Sequence, residues 1–441
     1  MKRSFPLALL SVALVLLLSG CGSNSNMPGT SAAANVTIQT GDAPNDQIVK
    51  LELTITSITL TGTGGTSNTQ NLLDHPREVE FAHEAGTFET LTLAHVPAGT
   101  YSGATVMVSN PEVVAIVNGA PTKLTATLSS STVNVTFSSP IMVGSSPTFI
   151  NFDLSLANSV TISGTSATIT PSFTVTSKTV TPDGTNENDD NGEIEDVHGT
   201  VTSISAPNFT IQTSQSTITF VTDMTTRFSD GLTSLSDLKV GEVVEVDGFT
   251  KSDGTKIATR VELEEAQNGM EVEGIVSAKT GTPATAITIT HQVDSTGSTT
   301  PPVTVDAQIT ANTQFLVRLD MFGMSIPLPM VFDASHIAKG QRVEVDSSST
   351  GTPVVADKIK LREQALSGTI SNVNGNTFTL TVDPTSAFAS LSGATTVNVM
   401  LLGGGDDQAM VTNGSTIRVR GLVFVNGTTF TLVGRHTDNG D

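Results

Sequence analysis

The chain has 441 residues, 42 acidic against 21 basic, no Trp and a single Tyr, and its net charge of −21 sets its surface against phosphate backbones. Binding to such backbones is driven by Lys/Arg neutralisation and counterion release, so nucleic acid is excluded as an expected partner. At roughly 150 residues per domain the length asks for three or four units. The abundance of Val, Ile and Thr points to strands rather than helices, because β-branched side chains are stiff at χ1 and pack well on a pleated surface.

The chain opens MKRSFPLALLSVALVLLLSGC. Lys2 and Arg3 form a positive start, and Phe5 to Leu18 is an apolar run of 14 residues. That run is too short for a hydrocarbon core needing about 20 helical residues, but it suits a signal segment. It ends Leu18-Ser19-Gly20-Cys21, and Cys21 is the sole cysteine, so no internal disulfide is available. The ending resembles a bacterial lipobox. The resemblance implies a signal peptide over 1–20, lipid attachment at Cys21, and more than one acyl chain, since a single chain holds a membrane only marginally. Gly22 stands where an aspartate would retain such a protein at the inner membrane, so an outer-membrane location is expected. Residues 21–34 are small and polar and read as a flexible tether.

Strand patterns fill 35–178. Leu51, Leu53 and Ile55 alternate with polar neighbours, the mark of a half-buried strand. Thr61–Asn68 reads as a glycine-rich hairpin tip. Further strands are expected at 87–93, 100–109, 113–117, 123–128, 133–137, 149–156 and 167–176, a spacing that predicts a β-sandwich. The segments GDAPND (Gly41–Asp46), LAHVPAGTYSGATVMVS (Leu93–Ser109) and FINFDLSLANSV (Phe149–Val160) ahead of ATITPSF (Ala167–Phe173) resemble a bacterial family, the domain of unknown function numbered 4382. That family carries no established activity, so the resemblance implies a fold and a cell-surface context.

Residues 179–196 are acidic and turn-rich and read as a linker. Three repeats follow, at 197–265, 271–363 and 365–436. They open at Val197–Val201, Val272–Val276 and Leu366–Ile370, each with a central glycine. The first copy resembles the domain of unknown function numbered 5666. The second is stretched around Met321–Met330, and the third lacks the short helical turn expected at Ser234–Leu238. About five strands per copy predict small OB-like β-barrels. The fold class expected is therefore all-β, an N-terminal β-sandwich followed by three OB-like β-barrel repeats.

One strand recurs in each copy. Gly241, Gly340 and Gly414 turn into it with an expected positive φ. Val244 and Val246, Val343 and Val345, and Ile417 and Val419 should face the core. Glu245 and Asp247, Glu344 and Asp346, and Arg418 and Arg420 should face water. The change of sign in the last copy could draw neighbouring barrels together, but solvated faces are the expectation.

Candidate chemistry is sparse. Glu187, Asp189 and Asn191 fall at positions 1, 3 and 5 of an EF-hand-like loop with Gly192 at position 6, but His198 stands at position 12, where a bidentate Glu is needed. Asp42, Asp46 and Asp153 could meet around a cation, although turn aspartates commonly bond their own backbone. His75, His83 and His95 lie close in sequence without a zinc-site spacing. No nucleophile elbow is present, and Gly62–Gly65 and Gly403–Gly405 read as turns. No catalytic residue, metal or cofactor is expected. Without Trp, a stacking platform for sugars or single strands is poorly supplied. The expected protein is a lipid-anchored, non-catalytic binding or scaffold module of the cell envelope, with the membrane and an unidentified envelope component as partners. The alternatives are a surface-anchored hydrolase or polysaccharide-acting enzyme, and an envelope protein binding a small ligand or cation.

Overall fold

The computed structural model describes residues 33–43, 47–73, 75–82, 88–181, 192–213, 217–229, 231–263, 270–294, 303–317, 330–349, 351–402 and 411–439. The first unit contains β1 (Ala33–Ala43), β2 (Ile48–Thr63), β3 (Arg77–Glu80), β4 (Phe88–Pro97), β5 (Gly99–Val117), β6 (Ala120–Leu128), β7 (Thr132–Val143) and β8 (Thr148–Ser155). The one-turn α1 (Leu156–Ser159), β9 (Val160–Ser163), β10 (Ser166–Ile169) and β11 (Phe173–Thr179) complete it. One sheet runs β11-β8-β1-β4, and the other β3-β2-β5-β6-β10-β9 with β7 paired to β5. Between them Ile38, Leu51, Leu53, Ile55, Val106 and Phe152 form the sandwich core.

Local chemistry shaped several strands differently from the sequence pattern. The stretches expected at 100–109 and 113–117 are one strand, β5, which continues through Asn110 in the left-handed region at φ 49°. The stretch expected at 167–176 is two strands in different sheets. Pro171 lies between them and has no N–H to offer a ladder. Beyond the turn at Gly64 and Gly65 (φ 61° and 94°) the return limb has no regular strand. There Thr69 Oγ1 and Asn71 Oδ1 accept the Leu60 and Ile58 N–H groups at 2.9 and 3.0 Å.

The first repeat comprises β12 (Glu193–Ser205), β13 (Asn208–Gln212), β14 (Thr217–Val221), β15 (Arg227–Ser229), β16 (Val243–Thr250) and β17 (Lys256–Leu263). Pairing runs β12-β13-β14, then parallel to β17, back through β16 and onto β12, so the barrel closes. β12 starts inside the stretch read as linker: Glu193 pairs with Phe249, and Glu195 with Glu89 of β4, which joins the barrel to a sandwich sheet. The expected helical turn at Ser234–Leu238 is a non-helical turn in which Asp237 Oδ2 accepts from Thr233 N at 3.0 Å.

The second repeat comprises β18 (Met270–Gly281), β19 (Ala284–Asp294), β20 (Thr304–Gln308), β21 (Gln314–Val317), β22 (Arg342–Ser347), β23 (Val354–Val355) and β24 (Lys358–Leu361). Here β23 and β24 share the closing role that β17 plays alone. The third comprises β25 (Gln364–Asn374), β26 (Thr377–Val382), α2 (Ala387–Ser392), β27 (Thr396–Leu401), β28 (Thr416–Asn426) and β29 (Thr429–Asn439), closed in the order β25-β26-β27-β29-β28. That order, with its parallel third and fifth strands, is the OB arrangement. Its helix sits between the second and third strands, capped by Ser386 Oγ accepting from Ala389 N and ended by Gly393 at φ 73°. Among the described residues no helix is long and apolar enough to cross a membrane.

In β16, β22 and β28, Val244, Val246, Val343, Val345, Ile417 and Val419 are all at most 1% exposed. Gly241, Gly340 and Gly414 enter these strands at φ 96°, 90° and 88°. A second glycine set is fixed by close approach. A Cβ on Gly274 or Gly368 would overlap the carbonyl oxygen of Thr290 or Thr381, and one on Gly199 would come within 3.0 Å of the Gln212 oxygen.

Candidate functional site

The opposite face of the recurring strand overturns the expectation of solvated side chains. Glu344 and Asp346 are 4% and 6% exposed, and Arg418 is 7% exposed. The Glu245, Asp247 and Arg420 side chains are 12%, 18% and 14% exposed. These charged faces pair within each barrel and, at Lys360–Glu262 and Arg420–Glu363, between barrels.

The contacts build outward from strand register. In β16 and β17, Asp247 faces Arg260 and Glu245 faces Glu262. Arg260 Nε donates to Asp247 Oδ2 at 2.6 Å, and its terminal nitrogens reach Glu245 and Glu262. Burial works against the Arg260 charge, but Asp247, Glu245 and Glu262 outweigh it and hold the guanidinium well above its ordinary range. In the second barrel Glu273, Glu344 and Lys360 stand opposite one another on β18, β22 and β24, and the next row is Glu271, Asp346 and Lys358. Lys360 Nζ lies 2.7 Å from Glu344 Oε1 and 3.3 Å from Asp346 Oδ2. It also lies 3.3 Å from Glu262 Oε1, crossing from the second barrel to the first.

The network continues to the third barrel. Arg362 reaches Glu344 at 3.1 Å and Glu273 at 3.4 Å, and Arg342 reaches Glu273 at 2.7 Å. Arg342 Nη1 also donates to the Glu363 carbonyl at 3.2 Å, and the Glu363 carboxylate forms an ion pair with Arg420, Nε lying 2.8 Å from Oε2. One chain of ion pairs and hydrogen bonds thus links Asp247 to Arg420. Apolar packing runs beside it: Leu422, Phe424 and Val433 of the third barrel join the core of the second. Gln341, fully buried, donates to Val423 O at 2.7 Å.

Within this seam Glu271, Glu344 and Asp346 each offer a carboxylate oxygen within 4.8 Å of the other two. Burial pushes the Glu344 carboxyl well up; Lys360 opposes this, while Glu271, Asp346 and Glu273 add to it. This grouping went unread in the sequence, although Glu271-x-Glu273 facing Glu344-x-Asp346 is a visible double alternation of acids.

The residues singled out from sequence fare otherwise. Cys21, Asp46, His83, Glu187, Asp189 and Asn191 lie outside the described residues, and the Asp42 side chain is likewise not described. Asp153 stands in β8 beside Gly41 of β1. His198, the would-be twelfth loop ligand, is an exposed strand residue paired with Glu245. His75 contacts Arg77 ahead of β3, whereas His95 is exposed on β4 in the other sheet, so the structure does not bring these two histidines together.

A second charged cluster lies on the sandwich. Lys50, 2% exposed, is 2.9 Å from Glu52 and 3.7 Å from Glu112, and Lys123 also reaches Glu112. Burial and the neighbouring Glu78 raise Glu52 to about 7 against the pull of Lys50.

Fold and site together define a modular all-β protein, a sandwich fused to OB-like barrels that are joined by a buried ion network. Residues 33–189 match the family model Domain of unknown function (DUF4382), and residues 198–262 match Domain of unknown function (DUF5666). These are the two families that the sequence motifs resemble, in the same order along the chain. No curated protein matches the chain. Among solved structures it is similar to Drosophila Unr CSD456, with 12% identity, TM-score 0.14, and coverage of 55% of this chain and 96% of that one. A multidomain protein with nucleic acid binding domains from Streptococcus pneumoniae gives 11% identity, TM-score 0.12, and coverage of 54% and 72%. Glycoside hydrolase family 32 from Bifidobacterium adolescentis gives 10% identity, TM-score 0.11, and coverage of 92% and 67%. Overlap at these scores bears on neither the fold nor the function of this chain.

Proposed function

We propose that the protein is a lipid-anchored, non-catalytic scaffold of the bacterial cell envelope, tethered through Cys21 and displaying its β-domains as one connected arm. The observation that carries the scaffold reading is the ion network from Asp247 to Arg420, which uses the polar strand faces of three barrels to join them to one another. A face committed to a neighbouring barrel is withdrawn from ligand binding and instead sets the spacing of the array. The anchor reading is supported by the apolar run ending Leu18-Ser19-Gly20-Cys21. A net charge of −21 suits display in water and opposes nucleic acid.

Cys21→Ser should move the protein from the membrane fraction to the soluble fraction on cell fractionation. Unchanged fractionation would reject the anchor. Turnover of any polysaccharide or ester substrate by the purified protein would reject the non-catalytic reading.

A further inference from the structure

We propose that Glu271, Glu344 and Asp346 bind one hard divalent cation, of the calcium type, at the seam between the first two barrels. The oxygens lie within 4.8 Å of one another. Ligands held about 2.3–2.6 Å from a calcium ion are at most about 5 Å apart, so the three already fit around a single ion. The backbone dictates this placement. Glu344 and Asp346 are two residues apart on β22 and share a face, and Glu271 of β18 is the direct cross-strand partner of Asp346.

An independent observation points to a ligand. Asp346 is 6% exposed, and neither of its carboxylate oxygens has a hydrogen-bond partner. Lys360 Nζ approaches Oδ2 at 3.3 Å without hydrogen-bond geometry, and it divides its charge among Asp346, Glu344 and Glu262. A buried carboxylate oxygen left unbonded is costly, and a cation at this point would satisfy it. The donor set is oxygen alone, with no imidazole or thiolate, which selects calcium, magnesium or manganese over zinc or copper. Calcium fits best, because its coordination is flexible and magnesium demands a near-ideal octahedron. Glu271 is only half-buried and gives an ion a way in.

The test is calorimetric titration of the full-length protein in detergent with calcium chloride after EDTA treatment, with thermal melting in parallel. The expected result is one saturable equivalent and a raised melting temperature. Glu271→Gln and Asp346→Asn should each weaken binding by about tenfold or more. Asp223→Asn, at an exposed turn carboxylate of the first barrel, should leave it unchanged. In EDTA, Asp346→Asn should melt at or above the parent, since it removes a buried charge that lacks full compensation. Absence of saturable binding overturns the proposal, as does affinity that survives both ligand substitutions. An Asp346→Asn protein that melts below the parent by the same margin with and without calcium also overturns it, because Asp346 would then act only as the partner of Lys360. If Asp346→Asn does not fold, the half-buried Glu271→Gln carries the affinity test alone.

Discussion

At the scale of single residues, the informative groups are ionisable side chains taken out of water. Arg260 serves Asp247, Glu245 and Glu262 at once. Removing one member of a buried network strands the others, which costs about 3–5 kcal/mol. Arg260→Met should therefore lower unfolding free energy by about that amount in urea titration. Glu52 governs a pH response of opposite sense to acid denaturation. Its folded value is about 7 against an ordinary 4.5. The folded state thus binds the proton more tightly than the unfolded state, and the associated stability is full below 4.5 and is lost as pH rises through 7. Glu52→Gln should flatten that decline, measured as melting temperature between these two pH values. The residue alternation was legible: Val244 and Val246 read as core and are core. The fate of Glu245 and Asp247 was not, because a period of two separates the faces of a strand but does not say what lies beyond each face.

At the scale of elements, the repeated opening strand owes its shape to its glycine. Gly274 lies so close to Thr290 O that any Cβ must displace the facing strand. Gly274→Ala should cost about 1–3 kcal/mol, the range for overpacking, and Gly368→Ala should do likewise against Thr381. The closer Gly274 contact predicts a larger loss than Gly199→Ala, and chemical denaturation of the three variants gives the ranking. The sequence marked these glycines by their recurrence, and it marked Gly241, Gly340 and Gly414 by their place before a strand. It misplaced the breaks in β5 and between β10 and β11. Asn110 tolerates the left-handed region and keeps its strand going, whereas Pro171 has no N–H with which to do so.

At the scale of the molecule, the pair Glu262–Lys360 couples two barrels that are 98 residues apart in sequence at this contact. A double-mutant cycle of Glu262→Gln and Lys360→Met should give a coupling of about 0.5–3 kcal/mol. The coupling should fall little between low and high salt, because both side chains are at most 9% exposed and buried pairs are weakly screened. A coupling near zero would mean that the barrels stand apart in solution.

Composition, alternation and recurrence determined by themselves that the chain is all-β, that a strand pattern recurs in its second half, and that Val244, Val246, Val343, Val345, Ile417 and Val419 face a core. Those properties are local, since a strand's two faces and a turn's positive φ are written within a few residues. Tertiary structure alone decided that the charged faces of β16, β22 and β28 are largely withdrawn from water into one ion network and that Glu271 joins Glu344 and Asp346. An acidic side chain facing water and one facing a neighbouring barrel carry the same letter. The difference between them is the dielectric and the counter-charge, supplied by residues from 13 to 98 positions away.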